Sequence, residues 1–216
     1  MATREGNPDA VSEDMLRAMN VTRESLRDRQ KQKRTMDAVA PSVGDVAPDF
    51  SVTLIGSDGR LSCRKVTLQD FRNQTLALLF GSYTCPIFRG QISQYQEIYE
   101  EFKDRVAFLW IYILEAHPEN GWRVPHNFEI GINVPLPKTI VERADVAARC
   151  ITETRSRIPT ALDDMNDTAM TAYAGSPERL YVVDRSGVVR HKSSIGPFDA
   201  EDIETWRSAL MKSAII

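Results

Sequence analysis

The stretch from Thr75 to Ile92, TLALLFGSYTCPIFRGQI, decides the fold of this sequence. Its first part is a continuous apolar run, which predicts a fully buried strand over Thr75–Gly81. Pro86 suits the first position of a helix, because the N–H that proline lacks would have no partner there. Apolar residues then recur at helical spacing, which predicts a helix over Pro86–Asp104. A buried strand that leads through a short turn into a helix is typical of an α/β fold.

Within that turn, Cys85 takes the N-cap position of the predicted helix. Free N–H groups and the helix dipole favour a thiolate there, and such positions lower a cysteine pKa from about 8.5 into the range of about 3.5–7.5. The hydroxyls of Ser82 and Thr84 can add hydrogen bonds to the sulfur. We therefore predict that Cys85 is an accessible nucleophile with a low pKa. The alternative is an inert, buried cysteine at a strand end.

A second signal follows the apolar run Val106–Leu114, which predicts the neighbouring parallel strand. Because ligands collect at the carboxyl ends of parallel strands, Glu115 and His117 should face the crevice that holds Cys85. A histidine there can hold the thiolate as an ion pair or pass a proton to a substrate. The alternative is a loop histidine that only caps the strand. Trp122, in the loop beyond, is either a wall of the substrate site or a core anchor.

The remaining sequence extends this unit into a mixed sheet. A helix that joins two parallel strands makes a right-handed crossover, and hairpin signals on either side add antiparallel strands. The further predicted strands are Ser51–Ile55, Leu61–Val66, Thr160–Leu162, Glu178–Val183 and Val188–Lys192. The further predicted helices are Lys138–Cys150, Asp167–Tyr173 and a final helix that Asp199 caps. We predict an α/β fold with a mixed central sheet and helices on both faces.

Composition and charge argue against several classes of protein. The chain has 216 residues, 42% of them hydrophobic and 26% charged, as in a globular protein that buries a core. Its net charge of -3 argues against a nucleic-acid partner. The longest apolar run, Val106–Leu114, is shorter than the about 20 residues of a membrane-spanning helix. The segment Met1–Asp9 lacks the apolar part of a secretory signal. We therefore expect a cytoplasmic protein that binds no membrane.

The three cysteines, Cys63, Cys85 and Cys150, are too few and too scattered for a disulfide framework. They form neither a Cys-x-x-Cys motif nor a cluster with zinc spacing, so we expect no metal site. We interpret Cys63 and Cys150 as ordinary packing residues. Either of them could instead resolve an oxidised Cys85 through a disulfide.

Residues 1–40 differ from the domain that we place at residues 41–216. The segment Ser12–Arg34 contains no proline or glycine, and Ser12 can cap a helix. Charged residues crowd its second half, Arg23–Arg34. We interpret these residues as a solvated helical extension that packs loosely or on a partner subunit, and a homodimer would be one such arrangement. The alternative is a basic handle for an acidic partner, which the interspersed acidic residues make less favourable.

Several motifs resemble known families. Val43–Phe50, together with Thr84–Pro86, is similar to the opening of redoxins of the thioredoxin superfamily, which include peroxiredoxin-like proteins. A finer resemblance is to iodothyronine deiodinases. Their pattern Phe-Gly-Ser-x-Thr-selenocysteine-Pro is similar to Phe80–Pro86, with cysteine at the selenium position. Their pattern Tyr-Ile-x-Glu-Ala-His-x-x-x-Gly-Trp is similar to Tyr112–Trp122. The further matches are Glu178–Val182 and the turn Gly196-Pro197.

The resemblance to deiodinases implies a thioredoxin-like fold and a thiol-dependent oxidoreductase. By that resemblance, Cys85 would take the iodine from an iodinated phenol, and an external thioredoxin-like or glutathione-like thiol would then reduce the sulfur. No metal or organic cofactor is implied. The implied catalytic residues are Cys85, His117, Ser82 and Glu115. The implied substrate-binding residues are Thr84, Tyr112, Trp122 and Arg179.

Departures from the deiodinase pattern leave other functions open. Sulfur is a weaker partner for halogen abstraction than selenium, and Ile195 replaces the arginine that the family carries before its Gly-Pro turn. The Ser82-x-x-Cys85 spacing favours a peroxiredoxin-like thiol peroxidase that reduces hydroperoxides, although Leu78 stands where peroxiredoxins carry a proline. A third interpretation is a non-catalytic thioredoxin-fold binding protein.

Thioredoxin folds place a cis-proline beside the active cysteine, and the resemblance therefore implies one here. The candidates are Pro159 and Pro177, each of which precedes a predicted strand. We favour Pro177, because the hairpin around Asp184–Gly187 follows it directly.

Overall fold

One mixed sheet of seven strands forms the centre of this computed structural model. The structure describes residues 7–56, 59–196 and 200–214. The strands are β1 (Ser51–Ile55), β2 (Leu61–Thr67), β3 (Leu76–Gly81), β4 (Ala107–Tyr112), β5 (Thr160–Leu162), β6 (Arg179–Val183) and β7 (Val189–Lys192). Their order across the sheet is β2-β1-β5-β4-β3-β6-β7. The central strands β3, β4 and β5 are parallel, and the outer pairs are antiparallel.

Helices cover both faces of this sheet. They are α1 (Glu13–Ala18), α2 (Arg23–Val39), α3 (Pro86–Phe102), α4 (Pro125–Glu129), α5 (Ile140–Thr154), α6 (Thr168–Tyr173) and α7 (Ala200–Ser213). On one face of the sheet lie α3, α5 and α7, and Trp206 of α7 is part of the core that they form with the sheet. On the other face, α6 packs through Tyr173. The predicted α/β fold is therefore confirmed. Asp199, the predicted cap of α7, and Pro197 lie outside the described residues.

We also asked whether any helix could span a membrane. Among the residues that the structure describes, none of the helices combines the length and the apolar character that crossing a bilayer requires.

β3 is buried along its whole length, as its apolar sequence predicts. Leu79 packs on the α3 side of the sheet, and Leu78 packs on the opposite side. At the end of the strand, the ring of Phe88 lies against the backbone of Gly81, where an added Cβ would come within 2.2 Å of that ring. A larger residue at this position would push the first turn of α3 away from the sheet. Gly81 thus sets the position of Cys85 relative to the strand.

The polar segment between β4 and α5, in which we predicted neither a helix nor a strand, contains the short helix α4. Asn127 of α4 is buried, and its side chain donates a hydrogen bond to the carbonyl of Thr84 at 2.9 Å. The same side chain accepts one from Arg89 at 2.8 Å. A helix of five residues is too short to produce a periodic apolar pattern, so it could not be predicted from the sequence.

The choice between the two candidate cis-prolines is settled by the backbone. Within the described part of the chain, the cis peptide bond joins Ser176 and Pro177. The preference for Pro177 over Pro159 is therefore confirmed.

The amino-terminal extension lies against the domain and does not pack loosely. Asp37 of α2 forms an ion pair with Arg179 at 2.7 Å, and the Nζ of Lys192 lies 3.2 Å from the same carboxylate. Lys33 donates a hydrogen bond to the carbonyl of Gly196 at 2.9 Å. The expectation of loose packing is corrected, because charged residues that we interpreted as solvated are paired with groups of the domain.

Candidate active site

Cys85 lies at the N-terminus of α3, directly after β3. Its backbone is extended, with φ -79° and ψ 108°, and its N–H donates to the carbonyl of Ser82 at 3.2 Å. Pro86 begins the helix, as its missing N–H favours. The structure thus places Cys85 in the strand–turn–helix position that the sequence predicts for a nucleophile.

The surroundings of Cys85 are drier than we predicted. The residue is only 3% exposed. Burial raises the pKa of its thiol to about 12, and the negative charge of Glu178 adds to the increase. The N–H groups of Phe88 and Ile87 favour the thiolate, but their effect is smaller than that of burial. The prediction of an accessible thiol with a low pKa is therefore wrong, because desolvation outweighs the helix terminus.

Glu115 connects the turn after β3 with the loop after β4 from the inside. Its carboxylate accepts hydrogen bonds from the N–H of Thr84 at 2.9 Å and from the Thr84 hydroxyl at 2.6 Å. It also accepts a bond from the hydroxyl of Tyr112, which in turn accepts one from the N–H of Tyr83 at 3.0 Å. Glu115 is buried, and burial raises its pKa although these hydrogen bonds oppose the shift.

Ser82 and Thr84, the predicted hydroxyl neighbours of Cys85, also connect the turn after β3 with the loop after β4. The hydroxyl of Ser82 accepts a hydrogen bond from the N–H of Ala116 at 3.1 Å, and the Thr84 hydroxyl accepts one from the N–H of His117 at 3.0 Å. Neither hydroxyl lines the nearby cavity, and the same holds for Glu115 and Tyr112. The side chains of Ser82, Thr84, Tyr112 and Glu115 therefore hold the segments that carry Cys85 and His117 together, without lining the cavity themselves.

A cavity of about 520 Å³ borders Cys85. His117, Trp122 and Pro177 share its wall, so the structure brings three of the predicted site features to one place. The extension supplies a large apolar part of the wall through Val11, Met19, Leu26 and Met36. A mostly apolar cavity with a few polar groups is typical of a site for a small organic molecule.

His117 and Trp122 form one wall of the cavity. Their rings meet edge to face, with centroids 4.5 Å apart. Burial lowers the pKa of His117 to about 4, and the charges of Arg29 and Arg89 contribute. Its Nδ1 atom is buried and has no hydrogen-bond partner among the described residues. His117 is therefore a neutral imidazole at neutral pH, and Trp122 is a wall of the cavity.

Arg179, which the resemblance implies as a substrate-binding residue, does not line the cavity. Its side chain is 1% exposed, pairs with Asp37 of α2 and lies 5.8 Å from the ring centroid of Tyr181. The preceding residue, Glu178, lines the cavity with Cys85 instead. Side chains alternate between the faces of a strand, so the strand pattern could have directed attention to Glu178, which our reasoning missed.

The other two cysteines do not reach the cavity wall. Cys63 is exposed in β2, Cys150 is buried in α5, and neither forms a disulfide. Burial raises the pKa of the Cys150 thiol. That either one resolves an oxidised Cys85 stays a prediction. Within the described ranges, no three or more histidine, cysteine, aspartate or glutamate side chains are grouped so that they could hold a metal ion.

Sequence comparisons with a family model and with curated proteins agree. A family model described as iodothyronine deiodinase matches residues 1–213. The thyroxine 5-deiodinase of Homo sapiens is 33% identical over 136 residues, which cover 62% of this chain and 43% of that protein. The thyroxine 5-deiodinase of Rattus norvegicus is 32% identical over 167 residues, which cover 76% of this chain and 52% of that protein. The chain thus spans about half the length of the curated relatives it matches.

Comparison with solved structures shows the fold. A putative thiol:disulfide interchange protein DsbE from Chlorobium tepidum superposes with a TM-score of 0.58 at 16% identity, covering 81% of this chain and 99% of that chain. The thioredoxin domain of a thiol-disulfide oxidoreductase from Bacteroides vulgatus gives a TM-score of 0.54 at 16% identity, with coverage of 81% and 99%. The fold is thioredoxin-like.

Proposed function

The chain belongs to the iodothyronine deiodinase family, and we propose that it removes iodine from an iodinated phenol through the sulfur of Cys85. The observation that carries this proposal is the shared cavity of Cys85, His117 and Trp122. Its apolar wall suits an aromatic ring that carries a large, polarisable iodine atom.

In the proposed first step, the sulfur of Cys85 forms a bond to iodine while the carbon–iodine bond breaks. The electron pair of the broken bond stays on the ring carbon, which takes up a proton, and the sulfur becomes a sulfenyl iodide. The ring is thereby reduced and the sulfur is oxidised. Because the Cys85 thiol has a pKa of about 12, it must give up its proton during this step.

We assign the movement of that proton to His117. With a pKa of about 4, its imidazole is neutral and only weakly basic. It therefore accepts the proton as the sulfur bonds to iodine, because the S–H group becomes much more acidic at that point than in the free thiol. The imidazolium so formed can then donate the proton to the ring carbon. General acid and base catalysis of this kind typically contributes about 10²–10⁴-fold to a rate.

An external thiol completes the proposed cycle. Its sulfur attacks the sulfur of Cys85 and displaces iodide, which leaves a mixed disulfide. A second thiol group then releases Cys85 and ends as part of the oxidised reductant. This scheme needs a thioredoxin-like or glutathione-like dithiol equivalent, and it uses no metal or organic cofactor.

The test measures iodide release from an iodinated phenol in the presence of dithiothreitol. We expect release by the parent protein and by Cys63→Ser, because Cys63 is exposed and does not line the cavity. Cys85→Ser should release none. A parallel assay follows the consumption of hydrogen peroxide. Peroxide consumption without iodide release would favour the peroxidase interpretation, and the absence of both reactions would favour a binding protein.

A further inference from the structure

Arg29 of α2 brings a positive charge to the cavity from the amino-terminal extension. It lines the cavity, and its guanidinium carbon lies 5.3 Å from the ring centroid of Trp122. Its charge also contributes to the lowered pKa of His117. A cation from a distant part of the chain therefore lies beside the wall that His117 and Trp122 form.

This cation differs from its neighbours on α2. Arg23 and Arg27 form ion pairs with Glu13 and Asp9. In the part of the chain that the structure describes, Arg29 has no carboxylate within ion-pair distance, and its contact is with the face of an aromatic ring. Partial burial lowers its pKa, so its charge is incompletely hydrated. Such a group gains free energy when an anion binds to it.

The two ends of the cavity carry opposite charges, from Glu178 and from Arg29. At its buried end lie Cys85 and Glu178, which are 3% and 0% exposed, and the negative charge of Glu178 adds to the increase that burial causes in the pKa of the cysteine. Arg29 lines the cavity and is only partly desolvated, because much of its side chain remains accessible to solvent, and we therefore place it on the open side of the cavity. A ligand with one anionic end would be repelled from the buried end and attracted to the edge. The apolar wall between the two ends suits its aromatic part.

We propose that Arg29 binds the carboxylate of an iodinated aromatic acid and so orients the iodinated ring toward Cys85. The inference rests on the proposed function and adds a specificity-determining residue to it. It makes the extension part of the substrate site. The second cation of the cavity, Lys33, contacts the carbonyl of Gly196, so Arg29 is the residue that we assign to the anion.

The test compares a diiodinated hydroxyphenylpropanoate with its uncharged primary amide, which has the same ring and nearly the same shape. Binding is measured by calorimetry on Cys85→Ser protein, and iodide release is measured on protein with Cys85 intact. A charge-assisted hydrogen bond is about twice as strong as a neutral one, so we expect Arg29→Ala to weaken binding of the acid by about tenfold or more. Binding of the amide should stay within about twofold. In turnover, kcat/KM should fall for the acid and stay near the parent value for the amide.

Matched variants separate charge from structure. Lys31→Ala removes a cation from an exposed position of the same helix that does not line the cavity, and it should change neither affinity. Arg29→Lys should recover part of the affinity for the acid, and Arg29→Glu should reverse the preference toward the amide. If the parent releases iodide and Arg29→Ala leaves the acid-to-amide ratio unchanged, the inference is wrong while the proposed function stands. An equal loss for both ligands would make Arg29 a purely structural wall residue. No binding and no iodide release by the parent would overturn both proposals.

Discussion

Glu178 and Arg179 are adjacent in sequence, but their side chains act on opposite sides of the sheet. Glu178 lines the cavity and its charge acts on the thiol of Cys85, whereas Arg179 binds Asp37 of the extension. Both side chains are almost fully buried, with 0% and 1% exposure. The two residues that follow the cis-proline therefore have separate roles. Glu178 raises the pKa of Cys85, and Arg179 holds α2, which forms part of the cavity wall, against the domain.

Glu178→Gln should make Cys85 more reactive toward an alkylating reagent. The substitution keeps the size of the side chain and removes the negative charge that raises the thiol pKa, so the pKa should fall below about 12. Alkylation rate against pH, measured in a Cys63→Ser, Cys150→Ser background, checks this. Glu119→Gln, on an exposed loop residue, is the matched control. An unchanged or slower alkylation of Glu178→Gln would contradict the electrostatic role that we give to this residue.

Asp37→Ala should destabilise the protein and loosen α2. The substitution leaves the buried guanidinium of Arg179 without its carboxylate, and hydrogen bonds to charged groups contribute about 1.5–3 kcal/mol. Denaturant unfolding and limited proteolysis of the extension measure the two effects. Asp28→Ala, at an exposed position of the same helix, should leave both unchanged.

The effect of Asp37 should also depend on pH. Although partial burial opposes it, pairing with Arg179 and Lys192 lowers the pKa of Asp37. The stabilisation is thus present above the unfolded pKa of about 3.9 and is lost as the pH falls through the lowered folded value. The difference in unfolding free energy between the parent and Asp37→Ala should shrink in strong acid. A difference that persists there would mean that Asp37 stabilises α2 by packing and not by charge.

His117→Ala should reduce iodide release by at least about tenfold, the lower side of what general acid and base catalysis contributes. Oxidation of Cys85 by peroxide should slow as well, because the same thiol proton has to leave, but it should slow less than iodide release, because no proton has to reach a carbon atom in that reaction. His126→Ala, an exposed histidine in the following helix, is the control. Equal losses in both reactions would mean that His117 acts on the cysteine alone.

The pH profile gives a second readout of His117. Its pKa of about 4 lies below the ordinary value, so the imidazole is already neutral in weak acid. We expect kcat/KM of the parent to fall only as the pH drops through about 4, where the proton-accepting nitrogen is lost. A fall centred near the ordinary histidine pKa of about 6.5 would show that the site is wetter than its burial indicates.

Glu115→Ala should lower both stability and iodide release. The substitution leaves the N–H of Thr84 and the hydroxyl of Tyr112 without their acceptor, and each buried group left unsatisfied costs about 1–3 kcal/mol. Unfolding in urea measures the stability, and the KM and kcat for the iodinated phenol measure the geometry. Glu119→Ala, in the same loop but exposed, should match the parent. Full activity of a folded Glu115→Ala protein would contradict a positioning role.

The sequence by itself determined the succession of strands and helices along the chain and the position of Cys85 between a strand and a helix. Short continuous apolar runs favour strands that are buried on both faces, and the proline after Cys85 marks the start of a helix. The same local rules put Glu115 and His117 near the cysteine, because the carboxyl ends of parallel strands share one edge of a sheet. They did not reveal α4, whose five residues are too few for a periodic pattern.

Only the tertiary structure decided the chemistry of those residues. Whether a thiol or an imidazole is desolvated depends on atoms that distant segments bring around it, and here these include α2, Pro177 and Glu178. That is why Cys85 has a raised pKa where the helix terminus alone predicts a lowered one. The same reason explains why Arg179 pairs with the extension and why Arg29 lines the cavity. The position of α2 depends on contacts between residues far apart in sequence, such as Asp37 and Arg179 with a separation of 142 residues. No local sequence pattern specifies such a contact.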